Sequence, residues 1–462
     1  MAKKSVKRSK APASTSRGFG AAKGSKVANP SRPETAEEAS WRAFQDWLTT
    51  QGCVCDAVEL YEESGLRGIR ATRDLKVGDE VLRVPRSIIL DEAMAAEGPV
   101  GALWRGVPEV ELPAYAKIAL QVLYEQRLGT QSHVAPYIAL LPTPSQLSGY
   151  APAATWKDEE LALTECGKLV GDAQRLRRLQ RDGDGHPALE PAALAEKWRE
   201  LSFPGQPPTP EDVAWAVTVV TSRAYGAEDP SRGGTRLSLL LPMVDMANHV
   251  HPPPTVKGLE EDGQSFVVLA KTAIKRSEQV FLTYGGLPNF MLLLQFGFVL
   301  PGAASDLGLV DCTSLVGTGL EAGGERAEAL RAVAAEGLLM REGPDASNWQ
   351  PAGPQLAAAL TALAEAGALP GHLVEAADET SSEAAGALAY TNLLRQTLAG
   401  YSTSIQDDRE ALKAEDLPPR SRLAIEFRLS QKTLLNQALG TAGGAARSRR
   451  SRASGLPDLD VD

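Results

Sequence analysis

The sequence predicts an α+β protein: a β-rich unit of small sheets carrying a helical insertion, followed by an all-α region. Three observations carry this expectation. Residues 57–84 and 238–284 hold short strand-like runs punctuated by Gly and Pro, the pattern of small sheets. Residues 113–220 set their apolar side chains three and four apart, as helices do. Beyond about residue 306 nearly every apolar run keeps that helical spacing. At 462 residues, 43% of them hydrophobic, the chain can build two or three cores.

Taken in order, residues 1–33 hold nine Lys/Arg and no Asp/Glu, and they lack the apolar periodicity that would fold them. A basic arm is expected there, with a plastid transit peptide and a nuclear signal as the other readings. Trp41, Phe44, Trp47 and Leu48 then mark a short amphipathic helix. Residues 57–60, 69–72 and 80–84 read as strands, separated by Gly65, Gly68 and Gly78 and closed by Pro85. No Gly-rich GxGxxG turn follows a strand and opens a helix, which argues against a dinucleotide-binding unit.

One helix is expected where Tyr115, Ile118, Ala119, Val122 and Leu123 share a face, and another where Val213, Ala214, Val217 and Val220 do. Residues 182–187 between them look like an exposed loop. Strand signals return at 238–242, 265–270 and 279–284, followed by a helix over 289–296. Further helices are expected over 326–339, 354–364, 383–399 and 420–439, and the basic run 447–452 reads as a disordered tail. The expected division is an arm over 1–33, a β-rich unit over 34–300 with its insertion at about 113–220, a helical unit over 306–440 and a tail over 441–462.

Setting the nine N-terminal cations aside from a total of −10 leaves a body of net charge −19. Such a body does not attract phosphate backbones over a broad face, so nucleic acid is not the expected partner. A protein with a basic segment suits the sign better. Cys53, Cys55, Cys166 and Cys312 offer neither a paired CxxC zinc site nor a spacing suited to an ordinary disulfide between the first two, and a reducing compartment follows. No apolar run approaches the roughly 20 residues a bilayer span requires, so a soluble protein with no membrane partner is expected.

Three ordered segments carry more specific information: SGLRGIRATRDLKVGDEVLRVP at 64–85; TSRAY at 221–225 with LPMVDMANH at 241–249; and VFLTYGGLPN at 280–289 continuing to LLQFGFV at 293–299. The run VAPYIALLP at 134–142 accompanies them. Together they resemble SET-domain protein methyltransferases of the Rubisco large-subunit lysine N-methyltransferase type. In the C-terminal part, YSTSIQDD at 401–408, LPPRSRLAIEFR at 417–428 and KTLL at 432–435 are similar to that group's helical substrate-binding domain. The resemblance spans about residues 40–440.

What the resemblance implies is an S-adenosylmethionine-dependent protein-lysine N-methyltransferase acting on a non-histone protein, which would dock on the helical domain. Methyl transfer from a sulfonium to an amine is an in-line displacement, so it calls for alignment and charge stabilisation and for no metal. By resemblance Tyr284 is the catalytic residue, its hydroxyl beside methyl group and target nitrogen. Asn248 and His249 would hold the cofactor. Arg223 would pair with its carboxylate, where a guanidinium fork is useful, and Arg70 is a further candidate. Asp245 fixes the turn into this segment or contacts the cofactor. Glu97, Gly98 and Pro99 fall where a second cofactor loop is expected, and Phe296 at the last such position. His249 and His251 lack the third ligand that a metal site needs.

Tyr225 would line the acceptor channel. Lysine-directed relatives have an aromatic residue there, whereas a histidine-directed relative has an amide, so the aromatic wall favours lysine. Histidine as acceptor and a SET-like binding scaffold without turnover are the alternatives. Pro288 departs from the small polar residue of the family's YGxxSN pattern and marks the rim of the site.

Overall fold

The computed structural model describes residues 35–63, 65–105, 112–148, 152–182, 186–316, 349–375 and 381–454. The basic arm, the helix expected over 326–339, residues 183–185 of the loop at 182–187 and the last eight residues of the tail lie outside the described residues.

The β-rich part is built from small, separate sheets. Strand β1 (Val58–Glu63) pairs antiparallel with β2 (Leu66–Ala71) around Gly65, whose φ of +77° lies in the region glycine adopts without strain. Strand β3 (Glu80–Pro85) pairs with β9 (Ser265–Ala270), which also pairs with β8 (Thr255–Leu259). Strand β4 (Leu90–Asp91) and strand β5 (Tyr225–Asp229) flank β6 (Thr235–Leu240). A short parallel pair, β7 (Asn248–His249) with β10 (Phe281–Leu282), brings two of the motif segments side by side.

Between β4 and β5 the chain is helical, as its periodicity predicts. The helices Ala114–Leu128 and Pro210–Arg223 face each other and bury Ile118, Val122, Leu123, Val213, Val217 and Val220 in one core with the inner faces of the sheets. Thr209 caps the second helix through Asp212 and Pro210 fits its first turn, so its start is defined by local chemistry.

A second core packs the helix Pro354–Glu365 against Ser382–Ala399 through Leu356, Leu360, Leu363, Leu393 and Leu394. A Cβ on Gly386 would lie 2.6 Å from the Thr361 Cα, so glycine is what allows these helices to cross so closely. A third core joins Trp156, Leu161 and Leu169 of the insertion to Phe290, Leu293 and Leu294 and to Phe427 of the long C-terminal helix. Under it lies a buried ionic network. Asp408, fully buried, meets Arg428 at 2.8 Å and Lys432 at 2.6 Å, while Arg428 also reaches Glu165 at 3.0 Å.

The structure corrects the sequence reading in several places. Strands β5 and β8 were not anticipated, because YGAED and TVKGL carry too many charged and glycine positions to signal a strand alone. The region beyond 306 is not wholly helical, since β11 (Leu309–Asp311) pairs with β12 (Trp349–Pro351). An unanticipated helix, Ile405–Ala411, is started by a Ser404–Asp407 capping box. The final helix runs Pro419–Ser454, where the sequence reading ended it near 440 and gave a disordered tail from 441. Ala445, Ala446 and the arginines after them are strong helix formers, and no Pro occurs before Pro457.

Candidate functional site

Four junctions place the side chains of one cavity. The helix Pro210–Arg223 ends at Arg223 and β5 begins at Tyr225, so both project from a single helix-to-strand transition. Met243, at φ +71°, turns the chain after β6 into the short helical turn Val244–Met246, which carries Asp245. A left-handed backbone at a buried non-glycine residue is strained, and such strain is commonly kept where a side chain must be aimed. Tyr284 follows β10 by two residues, and Gly285 after it has φ +122°, which side-chain-bearing residues rarely adopt. The helix Asn289–Phe296 brings back Phe296, and Gly297 in the left-handed region turns Phe298 onto the same aromatic group.

The cavity, about 220 Å³, is lined by Ser222, Arg223, Tyr225, Asp245, Thr283, Tyr284 and Phe296, with Arg236 and Lys257 on its other walls. Tyr284 is its aromatic hub. Its ring centroid lies 4.7 Å from Phe296, 5.0 Å from His249 and 6.0 Å from Tyr225. Its hydroxyl donates to the Ala247 carbonyl at 2.9 Å. Burial pushes its pKa up to about 12, with Arg223 opposing and Asp245 adding to the rise, so the hydroxyl stays protonated at neutral pH. Tyr284 is thus a donor and a dipole and not a base.

His249 supports Tyr284 from behind. The Tyr284 backbone N–H donates to His249 Nδ1 at 2.9 Å, so the imidazole proton sits on Nε2. Burial, with smaller repulsion from His251 and Lys257, lowers its pKa to about 4 and keeps the ring neutral. The Asn248 amide donates to the Arg67 carbonyl at 3.1 Å, across the approach to Gly68. A Cβ on Gly68 would lie 2.8 Å from both Asn248 Nδ2 and Gln279 Nε2, so only glycine fits without a shift.

Arg223 and Asp245 form a buried pair. The Arg223 guanidinium donates to the Asp245 carbonyl at 3.1 Å and to Oδ2 at 3.3 Å, and Oδ2 also accepts from the Tyr137 hydroxyl at 2.9 Å. Burial raises the Asp245 pKa against the attraction of Arg223. Asp245 Oδ1 and Gln279 Nε2 are buried with no hydrogen-bond partner among the described residues. A buried acceptor and a buried donor left open are what a ligand carrying both charges can satisfy.

Among the residues singled out from the sequence, Tyr284, Arg223, Asp245, Tyr225 and Phe296 line the cavity, and Asn248 and His249 adjoin it through β7. Arg70, Glu97, Gly98 and Pro99 are not among its lining residues. The Arg70 guanidinium donates to Glu59 at 2.7 Å and lies 5.5 Å over the Tyr61 ring. Glu97 is an exposed partner of Arg232 at 3.4 Å, Gly98 closes the helix Glu92–Glu97, and Pro99 opens the next turn. Pro288 sits in extended conformation ahead of the helix Asn289–Phe296, whose first turn bonds to its carbonyl, so it leaves the Tyr284 geometry undisturbed.

Lys257 and Arg236 were missed. Lys257 lies on β8, and its Nζ sits 3.2 Å from the Tyr225 ring centroid while donating to the Thr283 carbonyl at 2.8 Å. Burial lowers its pKa to about 7. Among the described residues no group of three His, Cys, Asp or Glu side chains could hold a metal, and the four cysteines are unpaired and buried. No described helix is long and apolar enough to cross a membrane.

Residues 357–435 match the Rubisco LSMT substrate-binding family model. Actin-histidine N-methyltransferase of Plecturocebus moloch is 25% identical over 431 residues, covering 86% of this chain and 67% of that protein; the Homo sapiens enzyme of the same name gives the same figures over 429 residues. Among solved structures, the SET domain of LSMT bound to lysine and AdoHcy superposes with a TM-score of 0.65 at 19% identity, covering 92% of this chain and 98% of that one. Rubisco LSMT bound to AdoMet gives 0.62 at 20% identity, covering 91% and 97%.

Proposed function

For this chain, which has the SET-type fold of the Rubisco methyltransferase group and carries its substrate-binding domain, we propose the activity of an AdoMet-dependent protein N-methyltransferase. The observation that carries the reading is the position of Tyr284. A protonated hydroxyl, fixed on a backbone carbonyl, stands on the wall of a cavity whose rear is the buried Arg223–Asp245 pair.

The open polar atoms fit the cofactor. AdoMet offers both an ammonium and a carboxylate, while Asp245 Oδ1 on the cavity wall is an unpartnered acceptor and Gln279 Nε2, beside Gly68 and Asn248, is an unpartnered donor. Gly68, Asn248, His249 and Phe296 would complete its seat, with Arg223 holding Asp245 in place. When bound, AdoMet supplies an electrophilic methyl on sulfur: the S–C bond breaks as the N–C bond forms, leaving a thioether, and the acceptor proton passes to solvent. The chain's contribution is alignment, exclusion of water and the fixed dipoles of Tyr284 and nearby carbonyls.

The acceptor we infer is histidine. The aromatic face of Tyr225 pointed to lysine, but in the folded chain that face already carries Lys257. The actin-histidine relatives support the same direction. Proton energetics agree: holding a lysine neutral near pH 7 costs roughly 4–5 kcal/mol from its pKa of about 10.4, whereas an imidazole of pKa about 6.5 is already mostly neutral. The helical region matching the substrate-binding model is the proposed docking site for the target protein.

The test uses purified protein, methyl-labelled AdoMet, and actin or an unfractionated lysate as acceptor. Calorimetric AdoMet binding together with label in protein is the expected result. Absence of cofactor binding would instead favour a SET-like scaffold.

A further inference from the structure

We propose that Lys257 determines acceptor specificity: its side chain occupies the seat on the Tyr225 ring that a substrate lysine would take, closing the pocket to lysine and leaving it open to an imidazole. This rests on the methyltransferase reading and deepens it.

The geometry is unusual for a lysine. Strand β8 alternates its faces, and Val256 points out to solvent, 47% exposed, while its neighbour Lys257 points inward. A lysine at a sheet edge normally extends its flexible stem until the amine reaches water. Here the amine instead turns over the Tyr225 ring and bonds to the Thr283 carbonyl, one residue before Tyr284. The two features that would receive an incoming lysine amine, an aromatic face and a carbonyl acceptor, are therefore both engaged by the chain itself.

Charge works in the same direction. The cavity wall carries Arg223 from the helix Pro210–Arg223, Arg236 from β6 and Lys257 from β8, against the single carboxylate of Asp245, which Arg223 already pairs. Tyr225 and Tyr284 contribute neutral hydroxyls, and His249 is neutral. A second ammonium entering this pocket meets like charge. Because burial brings Lys257 down to about pKa 7, the amine is partly neutral at physiological pH, but a neutral amine still fills the seat. Exclusion of lysine thus holds in either charge state. A flat, uncharged imidazole needs neither the cation seat nor a counter-charge.

The experiment needs no knowledge of the target protein. Full-length wild type, Lys257→Ala and Lys257→Arg are each incubated with methyl-labelled AdoMet and an unfractionated lysate, the protein is hydrolysed to amino acids, and labelled methylhistidine and methyllysine are separated and counted. Wild type is expected to give mainly methylhistidine. Lys257→Ala, which empties the seat on Tyr225, should raise the methyllysine-to-methylhistidine ratio by roughly tenfold or more, the scale on which one pocket contact discriminates substrates. Lys257→Arg, which keeps the seat filled, should retain the wild-type preference even if Lys257→Ala folds poorly. Mainly methyllysine from wild type, a ratio unmoved in an active Lys257→Ala, or a shift to methyllysine in Lys257→Arg would each overturn the proposal. So would label on Lys257 itself, since the amine would then be an acceptor. A wild-type protein that transfers no label at all removes the methyltransferase reading and this inference with it.

Discussion

Replacing Arg223 with Met removes the cation in direct contact with Asp245, whose side chain has no exposed surface, and leaves only the more distant attraction of Arg67 among the described residues. Asp245 would keep its bond from Tyr137 but lose the charge that allows it to ionise in a buried site. The carboxyl then stays protonated when folded, while in the unfolded chain it ionises with a pKa of about 3.9. Since burial already raises the Asp245 pKa with Arg223 in place, the added penalty at pH 7 is at most about 4 kcal/mol, from roughly three pH units at 1.36 kcal/mol each. That agrees with the 3–5 kcal/mol typical of breaking a buried pair from one side. The sign follows from proton linkage. A carboxyl whose folded pKa is raised makes the protein less stable as pH rises above the unfolded value. The Arg223→Met penalty should therefore shrink to at most about 1.5 kcal/mol at pH 5. Asp245→Asn in the same chain, which removes the ionisable group, should recover most of the loss. Urea unfolding followed by tryptophan fluorescence at pH 5, 6 and 7 measures this. A penalty equal at pH 5 and pH 7, or one that Asp245→Asn fails to relieve, would refute the role of Arg223 as the partner that keeps Asp245 charged.

Asp408→Ala should cost about 3–5 kcal/mol, because it strands the buried Arg428 and Lys432, whereas Lys413→Ala in the exposed pair with Glu410 should cost under about 0.5 kcal/mol; thermal melts compare the two. His249 has a depressed folded pKa, so the unfolded chain takes up its proton first and stability should fall as pH drops from about 6.5 towards 4. His249→Gln should flatten that part of the profile, and an unchanged slope in the variant would remove His249 as its source.

Local elements were legible where local chemistry decides them. The strand Ser265–Ala270 and the helix Asn289–Phe296 match the expected residues because alternation and helical spacing are complete within each segment. Asn248, His249 and Tyr284 could be named because each lies in a short contiguous segment, 241–249 or 280–289, that carries the resemblance by itself. The Arg223–Asp245 pair could not, since it joins residues 22 apart through a strained turn at Met243. Strand β11 pairs with β12 although residues 312–348 separate them in sequence, and three-residue strands carry no period of their own. Lys257 was missed for the same kind of reason. Its inward direction follows from the register of β8 on β9, Thr255 opposite Ala270, and TVKGL alone does not announce a strand. The reading of Tyr225 as the wall of the acceptor channel was therefore made without the Lys257 amine that lies over its ring.

In the proposed reaction Tyr284 steers methyl transfer without holding the cofactor. Tyr284→Phe removes one hydroxyl and leaves the aromatic packing with Phe296 and His249 in place. Transfer of labelled methyl into lysate protein and calorimetric AdoMet affinity, measured side by side for wild type and Tyr284→Phe, separate the two roles. Incorporation should fall by about a hundredfold or more, with cofactor affinity kept within roughly threefold. Equal incorporation by the two proteins would contradict it.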